Sequence, residues 1–137
     1  TINENDRLFG FRLAYVFSEP QQGDVIIFKF PDDESKTYIK RVIGTPGDTV
    51  KISAGAVYVN GEKLDEPYLK EPMAINSTTL TYTVPDNCYF VMGDNRNNSY
   101  DSRYWTHTYV SKDQILAKAL FKYFDGEKNT FSFSGIS

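Results

Sequence analysis

Cysteine, histidine and tryptophan occur once each in these 137 residues, as Cys88, His107 and Trp105. One cysteine excludes an internal disulfide. One histidine excludes a histidine-cluster metal site, and a single Cys with a single His falls short of a zinc ligand set. No apolar run approaches the ~20 residues of a membrane span, and no secretory signal is visible. A basic surplus is lacking too. Lys and Arg number 15 against 18 Asp and Glu, a formal net charge of -3, and the cations are dispersed, so nothing favours nucleic acid as a partner. An initiator Met is also missing: Thr1-Ile2-Asn3-Glu4 leads at once into an apolar run. This start reads as a fragment of a longer protein, with any anchor lying upstream.

What is present is aromatic and strand-like. Ten Tyr and ten Phe lift the aromatic share to 15%, which favours β structure over helix. A chain of this length makes one domain that buries about two-thirds of its unfolded surface. Residues 7–17, 25–30, 37–43, 49–53, 56–59, 78–84 and 88–92 read as strands separated by turn formers such as Gly44-Thr45-Pro46-Gly47-Asp48 and Pro85-Asp86-Asn87. Asn60-Gly61 is the strongest hairpin signal, because both residues tolerate the positive φ of a type I′ turn. Ser111 is a candidate N-cap for one helical turn. Residues 115–124 read as a further strand, and the polar, Pro-interrupted stretch 65–77 as a loop or edge excursion. The pattern predicts an all-β domain of two packed antiparallel sheets with little helix.

Lys40 stands out, a cation inside Tyr38-Ile39-Lys40-Arg41-Val42-Ile43. In a strand it shares a face with Tyr38 and Val42, while Ile39, Arg41 and Ile43 take the other, so the two adjacent cations point apart. An ordinary lysine, pKa ~10.4, is neutral about once in 2,500 molecules at pH 7. Burial disfavours the ammonium, and a neutral amine can take a proton from a serine hydroxyl. Taken alone, the residue reads more readily as a lysine snorkelling from an edge strand with its amine in water. Cys88 reads as a buried inert thiol, His107 as a surface or packing residue, and Arg41 as a structural contact.

Three blocks decide between those readings. They are residues 20–31 (PQQGDVIIFKFP), residues 38–48 (YIKRVIGTPGD) and residues 93–103 (GDNRNNSYDSR). In this order they resemble the bacterial type I signal peptidases, a Ser-Lys dyad protease family, over most of the chain to about residue 124. The third block matches the family's Gly-Asp-Asn-Arg-x-x-Ser-x-Asp-Ser-Arg motif throughout. In the second, Thr45 replaces the usual leucine.

The resemblance implies a fold shared with self-cleaving SOS repressor proteases. It also implies a membrane-anchored serine endopeptidase that removes signal peptides from exported preproteins. Lys40 matches the general base and Ser99 the serine that orients its amine. Asp101 with Arg103 matches a charged pair bracing the loop, and Asp94 with Arg96 a further structural set. Ile2, Leu8 and Ile39 fall where the family lines shallow substrate pockets for small residues, Ala-x-Ala-like, before the cut. The expected partners are signal peptides and the membrane surface, without metal, cofactor or nucleic acid. Exposed Phe and Trp at the active-site end would suit a membrane interface. The expected location is the cell membrane, with residues 1–137 forming a single catalytic domain on the extracytoplasmic side.

The departure lies at the front. Thr1 aligns with the last residue of the family's Ser-Met-x-Pro-Thr nucleophile motif, so the serine and its oxyanion-hole donors would lie just upstream and the fragment alone would be inactive. A non-catalytic relative assisting pilus or surface-structure assembly is the alternative, and Lys40 argues against it.

Overall fold

The run 37–44 carries apolar residues on both faces, as a central strand covered on two sides must. In a computed structural model, which describes residues 11–14, 19–69, 71–75 and 78–122, it does become such a strand. The strands are β1 (Phe11–Ala14), β2 (Val25–Lys29), β3 (Thr37–Gly44), β4 (Thr49–Ser53), β5 (Ala56–Val59), β6 (Glu62–Lys63), β7 (Leu80–Thr83), β8 (Cys88–Met92), β9 (Val110–Ser111) and β10 (Ile115–Lys122). Single 3-10 turns at Arg96–Asn98 and Lys112–Gln114 are the helical elements among the described residues. Ile115–Lys122 is a strand, as its pattern suggested.

Every pairing is antiparallel, and the strands form two sheets, one ordered β1-β10-β2-β3-β8-β9 and the other β6-β5-β4-β7. The all-β, two-sheet expectation holds. Ile43, Phe90 and Met92 of the large sheet join Val50, Ile52, Val57 and Val59 of the small sheet in one core. Alternation then sends Val42, Tyr89 and Val91 to the opposite face of the large sheet. There they pack with Ile26, Phe28, Phe30 and Trp105 in a second core. The lone tryptophan is thus 4% exposed and unavailable to a membrane interface; the exposed aromatics beside residue 99 are tyrosines, Tyr100 and Tyr104.

Turn chemistry sets the small sheet. Asn60 and Gly61 have φ of 53° and 88°, the expected type I′ pair, with Val59 opposite Glu62. The Asn60 side chain accepts from Thr49 N (2.9 Å) and donates to Asp48 (2.9 Å), tying the hairpin to the start of β4. Ala54-Gly55, between the strands expected at 49–53 and 56–59, makes a second turn with positive φ at both residues.

Candidate active site

Lys40 lies on β3 opposite Ile26 of β2, on the face of the second core. That placement leaves its side chain 4% exposed. Its amine donates to Ser99 Oγ at 3.2 Å and lies 5.9 Å from the centre of the Tyr38 ring. Snorkelling is excluded, because the amine ends inside the protein rather than in water. Burial holds the amine below the ordinary lysine range. The nearby charges pull both ways, Asp101 and Asp94 upward and Arg103 downward, and desolvation prevails.

The carboxylates near Lys40 are already taken. Arg41 binds Asp94 through two parallel bonds, Nε to Oδ1 at 2.9 Å and Nη2 to Oδ2 at 2.8 Å. Arg103 binds Asp101 in the same way, at 2.8 and 2.9 Å. Arg96 forms an ion pair with Glu66. Planar guanidinium matches carboxylate bidentately, which an ammonium cannot do. Among the described residues Lys40 therefore has a neutral hydroxyl for its hydrogen bond and no ion-pair partner. An amine in that setting loses its proton more readily than one facing a free carboxylate.

Ser99 is delivered by a loop that hangs from β8. Asp101, fully buried, accepts from Gly93 N (3.0 Å) and Arg103 N (3.1 Å) besides its arginine bonds. Ser102 pairs with Val91 twice: its Oγ accepts from Val91 N (3.0 Å) and its N–H donates to Val91 O (3.2 Å). Arg103 reaches back to the carbonyl of Arg96 (2.9 Å), while Arg96 Nε holds the carbonyl of Gly93 (2.8 Å). Asp101 and Arg103 brace each other as the spacing suggested. Asp94 and Arg96 do not pair with one another: Asp94 fastens this loop to β3 through Arg41, and Arg96 fastens it to the 64–75 segment through Glu66.

Ile39 is buried on the opposite sheet face from Lys40, paired with Ile27. Ile2 and Leu8 lie outside the described residues. His107 is exposed, with Nδ1 2.6 Å from Asp32 Oδ1, and Asp32 also accepts from the backbone of Thr106 and His107. Cys88 is partly buried, and burial raises its thiol pKa, the opposite of an activated nucleophile. No group of His, Cys, Asp and Glu able to hold a metal ion occurs among the described residues. Sequence reading missed Glu66, Tyr68 and Asn97, because a polar loop carries no periodic signal.

Comparison with known proteins places this geometry. A probable signal peptidase I-2 of Synechocystis is 42% identical over 129 residues, covering 90% of this chain and 57% of that relative. The chain thus spans little more than half of that relative's length. Signal peptidase I of Leptolyngbya laminosa is 38% identical, over 90% of this chain and 62% of its own length. A crystal structure of a signal peptidase I from Enterococcus faecalis superimposes with a TM-score of 0.61 at 34% identity, over 72% of this chain and 94% of that one. The model of the family described as "Signal peptidase, peptidase S26" matches residues 1–124, and the chain belongs to that family.

Proposed function

We propose that the parent protein of this chain is a membrane-anchored serine endopeptidase that removes signal peptides from exported preproteins, with Lys40 as its general base. The observation that carries this reading is the buried Lys40 amine, shifted towards neutrality and hydrogen-bonded to Ser99 at 3.2 Å. The nucleophile is a serine upstream of Thr1. Its hydroxyl attacks the scissile carbonyl while the neutral amine of Lys40 takes the proton. The resulting ammonium gives that proton to the leaving amine as the C–N bond breaks, which leaves an acyl-enzyme. Water then attacks the ester, Lys40 accepts a proton from it, and the proton returns to the serine oxygen as the peptide acid departs. Ser99 keeps the amine aimed throughout. Asp101, Arg103, Asp94 and Arg96 hold the Ser99 loop without touching reacting atoms.

The substrate is an extended peptide with small residues before the cut, with Ile2 and Leu8 lining its pockets. The domain works at the extracytoplasmic face of the cell membrane, and the 137-residue chain without its serine is inactive. No described helix is long and apolar enough to cross a membrane. The test is cleavage of a preprotein by the full-length parent: Lys40→Ala abolishes it while the circular dichroism spectrum stays native. Cleavage at the normal rate would remove Lys40 from the chemistry.

A further inference from the structure

The described residues 64–69 and 71–75, between β6 and β7, are the part of the site that no motif marks. They are pinned at both ends. Leu64 N donates to Val57 O (2.8 Å) on the small sheet. At the other end Asn97, beside the Ser99 loop, accepts from Ala74 N (2.7 Å) and donates to Pro72 O (3.0 Å). Met73 between them is buried, with its sulfur 3.9 Å from Arg103 Nη1.

The middle of the segment supplies two side chains. The ring of Tyr68 lies with its centre 4.0 Å from the guanidinium carbon of Arg41 and 5.9 Å from that of Arg96. Its hydroxyl donates to Glu66 Oε2 (3.2 Å), the same oxygen that pairs with Arg96. The Arg96 side chain is fully buried and that of Glu66 is 8% exposed, so neither charge has water to replace its partner. Arg41 is the residue after Lys40, and Arg96 stands three residues before Ser99.

We propose that Tyr68 and Glu66 are positioning residues for the Lys40–Ser99 pair: Tyr68 packs on the guanidinium of Arg41, which follows Lys40 in β3 on the other sheet face, and Glu66 pairs with the guanidinium at the root of the Ser99 loop. This rests on the reading of Lys40 as general base. The two arms of the pair come from separate elements, β3 and the loop after β8, and an arginine of each lies over the Tyr68 ring. Arg41–Asp94 joins the arms directly, and the Tyr68 ring fixes the plane in which that bidentate bond forms, because cations favour the aromatic face. The pair itself has little slack. An N–H···O distance of 3.2 Å is already at the long end of the hydrogen-bonding range, so a drift of a few tenths of an ångström breaks it.

A neutral side chain makes the test clean. Burial, and then the charge of Glu66, pushes the Tyr68 phenol up to about 12, so at working pH the ring carries no charge. Removing it can alter Lys40 through geometry and solvent access alone. The experiment follows the ε-carbon resonance of Lys40 in 13C-lysine-labelled full-length parent, assigned by Lys40→Arg, alongside kcat and KM for a preprotein.

Tyr68→Ala is expected to move the Lys40 titration midpoint up towards the ordinary lysine range, as the Arg41–Asp94 tie loosens and the Ser99 loop draws away from the amine. It should lower kcat about 10-fold or more with KM within about twofold, the signature of a displaced catalytic group. Tyr68→Phe keeps the ring and is expected to keep both values. Tyr58→Ala, which removes a comparable ring from the small sheet, is the control and is expected to leave them unmoved. Should Tyr68→Ala not fold, Tyr68→Leu is read in the same way, since it fills the volume without a π face. A lowered melting temperature with an unmoved Lys40 midpoint overturns the proposal and leaves Tyr68 as packing. If the midpoint moves and cleavage does not change, the positioning stands and the general-base reading fails instead.

Discussion

Replacing Lys40 by Met separates a catalytic lysine from a structural one. Methionine is unbranched, of similar length, and fills irregular apolar gaps. Lys40 is 4% exposed, and among the described residues its amine has one hydrogen bond, 3.2 Å, to a neutral hydroxyl. That bond contributes about 1 kcal/mol, while taking a polar group out of water with little compensation costs about 2–7 kcal/mol. Ser99 is only half-buried and can turn to water once the amine is gone. Lys40→Met is therefore expected to range from neutral to about 3 kcal/mol more stable at neutral pH. The melting temperature should rise by roughly 4 °C per kcal/mol.

Cleavage by the same variant should be undetectable, since a general base alone supplies about 10²–10⁴-fold. The pH dependence has a definite sign. The folded-state pKa of Lys40 is depressed by burial, whereas in the unfolded chain it returns to ~10.4. Between these values the unfolded chain holds the extra proton, so wild-type stability climbs with pH across that window. The advantage of Met is fully present below the folded pKa of Lys40 and shrinks as pH rises towards ~10.4. Wild-type kcat/KM should fall below that folded pKa, as the base becomes protonated. Differential scanning calorimetry across pH, paired with a preprotein cleavage assay, measures both. A destabilisation beyond about 1 kcal/mol, or cleavage within about 10-fold of wild type, refutes the reasoning.

Other substitutions probe the supports. Ser99→Ala should cut kcat by roughly 10- to 100-fold with KM little changed, since the amine loses its aim but not its basicity; a normal rate removes Ser99 from the site. Asp101→Asn breaks a pair whose side chains are 0% and 6% exposed, leaving the Arg103 guanidinium uncompensated. The expected loss is about 3–5 kcal/mol in urea denaturation, and a loss under about 1 kcal/mol would contradict the bracing role. Gly44→Ala would place a Cβ 2.6 Å from Val50 Cγ2 and 3.0 Å from Val84 Cγ2, where β3 meets the small sheet. A cost of about 1–3 kcal/mol is expected from the lowered urea midpoint, and a neutral result would mean that the sheets yield there.

The outcomes just described depend unequally on what a sequence can show. Local chemistry was legible. Asn60-Gly61 can adopt the left-handed backbone that the observed turn uses, and the alternation in Cys88–Met92 emerges as two opposed core faces. The left-handed φ of Ala54 was not legible, although the break between strands 49–53 and 56–59 was, because an alanine at φ 52° is held there by the pairing of Ser53 with Ala56 rather than by its own preference. Of the two pairings expected within the motif 93–103, one forms. Asp101 and Arg103 sit two apart and meet locally, whereas Asp94 and Arg96 each find a distant partner that local spacing could not reveal.

The sequence by itself determined the strands, their turns, the parity that sets Lys40 and Arg41 on opposite faces, and the motifs of the signal peptidase family. These follow from backbone preference and a period of two, which act over a few residues. Only the tertiary structure decided that Lys40 ends beneath the protein surface against Ser99, and that Glu66 and Tyr68 meet the arginines Arg41 and Arg96. Burial and desolvation depend on what the rest of the chain lays over a residue. A lysine becomes a base or remains a surface charge according to that cover.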